Sequence, residues 1–362
     1  MTAKPNILVL GAGVSGLTCA LSLKERGFDV TVVAEKFAPL VTSVVAGALW
    51  EWPPAVCGHH HDQLSLNRSK AWCLASLRRF RGLAHKPGAG VFLRRATFYF
   101  HRPVAEDPQQ FAKMNELRTH VDQFIHDAAL IAANKVNPAF GTRDAYAHLS
   151  PMIDTDIYMA WLLGEVQQSG CRVLREPISG SLRDQEQSLR NRFAAEAIVN
   201  CTGLGARELA VDEVSPLRGA VIRLRNDGQA MPRMTEAHCV AHHAQSSRPD
   251  FIFIVPRGND TLLLGGLAEP DQWNLDIGLD NYEPIRTMYR RCLEFLPALK
   301  SGAIDASDPV RVGLRPVRRQ NVRLEHEPGT RIIHNYGHGG SGVTLSWGCA
   351  AEVADTVERI LE

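Results

Sequence analysis

The sequence predicts an α/β protein: a parallel-sheet domain interrupted by an inserted antiparallel sheet. Three observations carry this expectation. A short apolar strand, a glycine turn and a helix open the chain. A second glycine-rich strand-to-helix transition lies near its end. Between the two, the apolar pattern shifts to short strands joined by turns.

Each element has its own reason. Residues 7–10, Ile-Leu-Val-Leu, are uniformly apolar, as a strand buried on both faces is. Gly11 to Gly16 is a turn. Residues 17–26 show helical spacing at Leu17, Ala20, Leu21 and Leu23, and Gly27 ends them. Val30 to Val33 completes a β-turn-α-β unit. Helical spacing recurs over 64–83, 157–168 and 282–295, and residues 90–100 and 197–200 read as strands. Residues 217–224, 251–255 and 261–264 are strand-like. The last two are joined by Pro256-Arg257-Gly258-Asn259, which points to antiparallel pairing. A strand at 331–333 and a helix over 343–361 follow. The expected division is a discontinuous nucleotide-binding domain, 1–90, 145–208 and 308–362, with a substrate domain built from 91–144 and 209–307.

Composition narrows the function. Apolar residues make up 45% of the 362, enough for a full core. A formal net charge of +1 gives no reason to expect a nucleic-acid partner or an anionic membrane. No apolar run reaches the ~20 residues of a membrane span, and no cationic leader precedes the first strand. The eight cysteines are widely spaced with no C-x-x-C, as in a reduced, cytoplasmic protein. The run His59-His60-His61-Asp62 reads as a polar loop or helix cap. Sequence neighbours point different ways, so no metal site is expected there.

The opening turn is Gly11-Ala12-Gly13-Val14-Ser15-Gly16. The first glycine permits the turn, the second lets a pyrophosphate approach, and the third lets the helix pack closely. The helix N-terminus offers free N–H groups to phosphate. Glu35, 19 residues past Gly16, ends the second strand, where a carboxylate accepts ribose hydroxyls. Together these make a Rossmann-type dinucleotide site, with NAD and FAD both open. The second transition, Gly337-His338-Gly339-Gly340-Ser341-Gly342-Val343-Thr344, leaves backbone amides bare at a helix start. It suits the electron-rich end of a reduced flavin. Arg315, before Pro316, sits on extended backbone, where taken alone it reads first as a surface salt bridge and second as a guanidinium that clamps a carboxylate in bidentate fashion.

These segments together resemble the D-amino-acid oxidase family. The likeness is carried by Val9 to Leu17, by Ala34-Glu35-Lys36-Phe37-Ala38-Pro39-Leu40, by Thr42-Ser43 and by Ala46-Gly47-Ala48-Leu49-Trp50. It continues through Val199-Asn200-Cys201-Thr202-Gly203, Gly313-Leu314-Arg315-Pro316-Val317-Arg318 and Asn335 to Cys349. Residues 53–145 match least. The resemblance implies bound FAD, contacted by residues 11–16, Glu35, Lys36, Thr42, Ser43, Gly47, Ala48, Leu49, Ile178, Thr202, Gly203 and 339–344. It implies oxidative deamination of an amino acid, most readily a D-amino acid, by hydride transfer from Cα to flavin N5. The products are a 2-oxo acid, ammonia and, with oxygen as acceptor, hydrogen peroxide. Arg315 and Gly340 are the implied catalytic positions, holding substrate carboxylate and amine. A homodimer is left open.

One departure stands out. Where the family usually carries tyrosines ahead of the Ile254-Val255-Pro256-Arg257 motif, this chain has Phe253 and, four residues earlier, Pro249. The side-chain pocket is therefore expected to draw on Glu51, Trp52, His242 and His243; taken alone, His238, His242 and His243 read as a solvated loop, with a flap over the pocket as the alternative. Two alternative functions remain: oxidation of a secondary amine or imino acid, as in glycine- and sarcosine-oxidase-like proteins, or a flavin-binding partner protein without turnover.

Overall fold

A computed structural model describes residues 4–52, 62–240 and 251–362. In chain order the strands are β1 (Asn6–Leu10), β2 (Asp29–Ala34), β3 (Val91–Phe100), β4 (Ile125–His126), β5 (Asp144–Ile153), β6 (Arg172–Arg175), β7 (Ala197–Asn200) and β8 (Val214–Arg225). There follow β9 (Ala237–Val240), β10 (Ile252–Arg257), β11 (Thr261–Gly265), β12 (Glu269–Pro270), β13 (Val310–Arg318), β14 (Arg323–His326) and β15 (Ile332–Tyr336). The helices are α1 (Val14–Glu25), α2 (Gln63–Leu83), α3 (Pro108–Leu117), α4 (Ala129–Ala133), α5 (Thr155–Gln168), α6 (Leu182–Phe193), α7 (Ala206–Leu209), α8 (Glu283–Phe295) and α9 (Gly342–Leu361).

Six strands form one sheet in the order β14-β15-β7-β1-β2-β6. β1 is central, and Ile7, Leu8 and Val9 are fully buried, which is why its sequence has no polar alternation. It pairs in parallel with β2 on one side and β7 on the other. The chain leaves β1 in one direction for β2 and later runs from β7 to β15 in the other. The crevice beyond the ends of β1 and β7 is thus a topological switch point, where open α/β sheets bind ligands. Helices α1, α2, α5 and α9 cover one face. A Cβ on Gly348 of α9 would lie 2.2 Å from the Trp72 carbonyl oxygen of α2, so only glycine permits that crossing. On the other face, Leu182, Leu189 and Phe193 of α6 pack on Leu8, Leu10, Ile198 and Ile332.

The second sheet has nine strands, ordered β12-β8-β11-β10-β9-β3-β5-β4, with β13 on the other side of β8. Its alternation is strict. Val240, Ile252, Ile254 and Tyr99 turn toward α8, whose Ile285, Met288, Cys292 and Phe295 recur at helical spacing. Cys239, Phe253, Val255 and Phe98 turn the other way, into the core shared with the first sheet. All pairs are antiparallel except β3 with β9. More than a hundred residues separate those two strands, the long connection that parallel pairing needs.

The strands cross between sheets at places the sequence division does not give. Residues 145–153 and 310–318, expected with the nucleotide-binding part, run in the large sheet. β5 lies along all ten residues of β3, and β13 along nine of β8. The first helix begins at Val14, three residues early, because Gly13 already serves as N-cap. Asp62 caps α2 through the Ser65 N–H at 2.7 Å. His59, His60 and His61 lie outside the described residues, as do His242 and His243. His238 is no part of a flap. It is buried in β9, with Nδ1 2.9 Å from the Tyr99 hydroxyl. The seven cysteines among the described residues are free and buried.

Candidate active site

The two outer glycines of the first turn are demanded by protein atoms. Gly11 has φ +105°, and a Cβ there would lie 2.5 Å from the Cys201 carbonyl oxygen. A Cβ on Gly16 would lie 1.9 Å from the Gly11 carbonyl oxygen. Gly13 differs. Its φ is −74°, open to any residue, and a Cβ would meet only Ser43 Oγ, at 3.3 Å. The protein leaves space on that side. Ser43 Oγ accepts the Val14 N–H at 3.0 Å, tying the segment 42–44 to the turn. α1 has no side-chain cap and no acid in its first turn, so its N-terminal potential is open to an anion. Glu35 is exposed just past β2, with the Lys36 ammonium 3.7 Å away.

The second glycine loop lies against the first. A Cβ on Gly342 would be 4.0 Å from Val14 and 3.8 Å from His338. α9 is also uncapped and free of acids in its first turn, so two helix N-termini converge on one crevice. Val343 and Thr344 are buried, and Gly340 is exposed. His338 Nε2 is 3.0 Å from Asn335 Oδ1, and burial pulls its imidazole down to about 4. At neutral pH it adds no charge. Behind the crevice, the Thr202 hydroxyl donates to Asn200 Oδ1 at 2.7 Å, and Ile178 packs on the cluster of Leu8 and Leu10.

β13 carries Arg315 to the same place. Pro316 packs near Gly203, at 3.6 Å from a Cβ built there, and Val317 forms a β-bridge to His338. Gly313 stands opposite Gly219 and packs on Val45, 3.1 Å from a built Cβ. The Arg315 guanidinium lies on Gly219, where a Cβ would fall 2.1 Å from one of its terminal nitrogens. One of its N–H groups donates to the Leu267 carbonyl at 3.2 Å. Gly219 is thus the residue that lets the guanidinium lie flat on the sheet.

The pocket candidates separate. The Phe253 ring fills the space beside Gly47, 2.4 Å from where a Cβ would stand, and brings no hydroxyl. Ala48 takes φ +52°, and Leu49 bridges to Met152. Glu51 is half-buried, and burial raises its carboxyl above the usual range, opposed by Lys113. Trp52 is buried, with ring centroids 6.3 Å from Trp50 and 5.0 Å from His120.

Sequence reading missed two residues that hold the site together. Arg257, the last residue of β10, is buried and donates to the carbonyls of Val44, at 3.2 Å, and Ala46. Burial lowers its pKa to about 10. Asp156, in the first turn of α5, lies 2.6 Å from Arg311, 3.5 Å from Arg223 and 3.8 Å from Arg257. One carboxylate thereby joins α5 to three strands of the large sheet. The pairing spans about 155 residues at most, and nothing local announces it. The one signal was Arg257 next to the turn glycine.

Residues 6–356 match the family model described as FAD dependent oxidoreductase. The chain belongs to that family. The D-amino-acid oxidase of Rubrobacter xylanophilus is 34% identical over 351 residues, covering 96% of this chain and 94% of its own. The D-amino-acid oxidase of Streptomyces coelicolor is also 34% identical, over 353 residues, with 96% and 95% covered. The glycine oxidase structure from Geobacillus kaustophilus superposes with a TM-score of 0.77 over 99% of this chain and 95% of its own, at 16% identity. That likeness concerns the fold. As a member of the FAD-dependent oxidoreductases, the chain has a crevice that suits the cofactor. The open side of Gly13 and two uncapped helix N-termini are what a dinucleotide pyrophosphate and an anionic flavin edge require. Among the described residues no helix is long and apolar enough to cross a membrane.

Proposed function

We propose that this protein oxidises a free D-amino acid to its 2-oxo acid, with ammonia and hydrogen peroxide as the other products. The observation that carries this reading is the Arg315 guanidinium laid on Gly219 beside the two glycine loops. A planar fork next to a flavin crevice selects a planar anion, the carboxylate of the substrate. The two bacterial relatives named D-amino-acid oxidase support the same substrate class.

In this reading the six-stranded sheet and its helices form the cofactor domain. The turn amides at 11–16 hold the pyrophosphate, Glu35 takes ribose hydroxyls, and Lys36 lies beside them. Thr42, Ser43, Gly47, Ala48, Leu49, Ile178, Thr202, Gly203 and residues 339–344 line the remainder. Bound FAD supplies the acceptor for two electrons. The chain supplies position. Arg315 fixes the carboxylate, the backbone carbonyl at Gly340 accepts the amine N–H, and Phe253 closes the apolar side. No side-chain base is needed, because the amine reacts neutral. Oxygen is the proposed final acceptor and the cytoplasm the proposed compartment.

The test is a peroxide assay with D- and L-amino acids, glycine and sarcosine. Peroxide and the 2-oxo acid should form from D-amino acids. Turnover of sarcosine or cyclic imino acids alone would replace this reading with a secondary-amine oxidase.

A further inference from the structure

The segment 44–49 turns alternate carbonyls into the protein. The Val44 carbonyl accepts the Thr155 hydroxyl at 2.7 Å and an Arg257 N–H at 3.2 Å. The Ala46 carbonyl accepts the other end of the Arg257 fork, and the Ala48 carbonyl accepts the Ile153 N–H at 2.9 Å. These peptides are trans, and in a planar trans peptide the N–H points opposite to the preceding carbonyl. The Gly47 N–H therefore faces away from Arg257, and the Leu49 N–H away from β5. Among the described residues neither meets an acceptor. The segment walls the crevice. Ser43 accepts the Val14 N–H of the first glycine turn, and Val45 packs on Gly313 of the strand that carries Arg315.

Two carbonyls do not need a guanidinium. Arg257 is 3% exposed, and its Nε has no hydrogen-bond partner among the described residues. A neutral donor satisfies a carbonyl without burying a charge, as Thr155 does on Val44. Asp156 stays 3.8 Å from Arg257 and is shared with Arg223 and Arg311. At about 10, the guanidinium is still cationic at neutral pH. What it gives the two peptides beyond a neutral donor is charge. A cation on the carbonyl side polarises a peptide, and its N–H becomes a stronger donor. In a crevice shielded from water, such a donor favours the state of a ligand that is richer in electrons.

We propose that Arg257 is a positioning residue for the flavin. It fixes the peptide before Gly47 so that the Gly47 N–H, with that of Leu49, meets the bound flavin. Its charge raises the flavin's reduction potential by favouring the reduced form. The inference rests on FAD lying in the crevice and on no particular substrate.

The test is the two-electron potential of the flavin in the holoprotein, read by equilibration with a reference dye. Arg257→Met should weaken the preference for reduced over oxidised FAD roughly tenfold, the weight of one charge-assisted hydrogen bond. That lowers the potential by about 30 mV. Arg257→Lys keeps the charge but cannot span both carbonyls, and should recover only part of the shift. A role in folding alone would lower the melting temperature of both variants and leave the potential unchanged, which would overturn the proposal. A second measurement uses wild type and needs no variant to fold. Amide exchange at Gly47 and Leu49 should slow at least about tenfold when FAD binds the apoprotein. Equal exchange in the two forms would also overturn it. If no amino acid is oxidised, the oxidase reading fails, while the potential and the exchange still decide the role of Arg257.

Discussion

Arg315→Ala should lower kcat/KM for the preferred amino acid by roughly 10²-fold or more. A charge-assisted hydrogen bond contributes about 1.5–3 kcal/mol, and a bidentate pair lies at the strong end. The variant also leaves the substrate carboxylate desolvated without a partner, which adds to the loss. Each ~1.4 kcal/mol is a factor of ten. Arg315→Lys should recover only part, because an ammonium cannot form the planar fork. The fold should survive, since the guanidinium lies on Gly219 at the sheet surface rather than in a core. Steady-state kinetics on amino acids and on the matching amines without the carboxylate make the comparison. Wild type should prefer the acids, and Arg315→Ala should lose most of that preference. Equal preference in both would make Arg315 a structural arginine.

Gly13→Val should give a folded, colourless protein. The three glycines of the first turn differ in what they face. Side chains at Gly11 and Gly16 would strike backbone oxygens at 2.5 and 1.9 Å, so their replacement should damage the fold itself. At Gly13 the nearest protein atom is Ser43 Oγ at 3.3 Å, and the φ of −74° suits any residue. Valine there should therefore spare the protein and fill the space a pyrophosphate needs. The ratio of flavin to protein absorbance should fall to near zero. Added FAD should raise the melting temperature of wild-type apoprotein and leave that of the variant unmoved. A variant that purifies with a full complement of FAD would refute this account of the turn.

How much of this was legible depends on where each residue's partner lies. Residues 7–10 and the turn at 11–16 declare themselves because burial on both faces leaves only apolar residues, and the turn needs glycine locally. β13 is hidden because Arg311 and Arg315 occupy one of its faces and Arg318 the end of the other. Its odd face meets Asp156 and the crevice rather than an apolar core. β5 is hidden because it buries polar groups that are satisfied at long range. Asp144 takes the Val104 N–H at 2.7 Å, and the Ser150 hydroxyl donates to the Trp50 carbonyl at 2.9 Å. α6 shows too little periodicity, with only Leu182, Leu189 and Phe193 buried. Within the site, Arg315 was legible through Pro316 and the motif around it. Gly219, Arg257 and Asp156 were not, because their meaning lies in residues far away in the sequence.

The central claim is that a D-amino acid held by Arg315 delivers its electrons to flavin in the crevice between the two glycine loops. The most direct measurement is anaerobic mixing of the purified holoprotein with single amino acids, followed by flavin absorbance. D-amino acids should bleach the oxidised flavin band, and readmitted oxygen should restore it with formation of peroxide. L-enantiomers should leave it unchanged. A flavin that stays oxidised with every amino acid, yet bleaches with chemical reductant, would contradict the account.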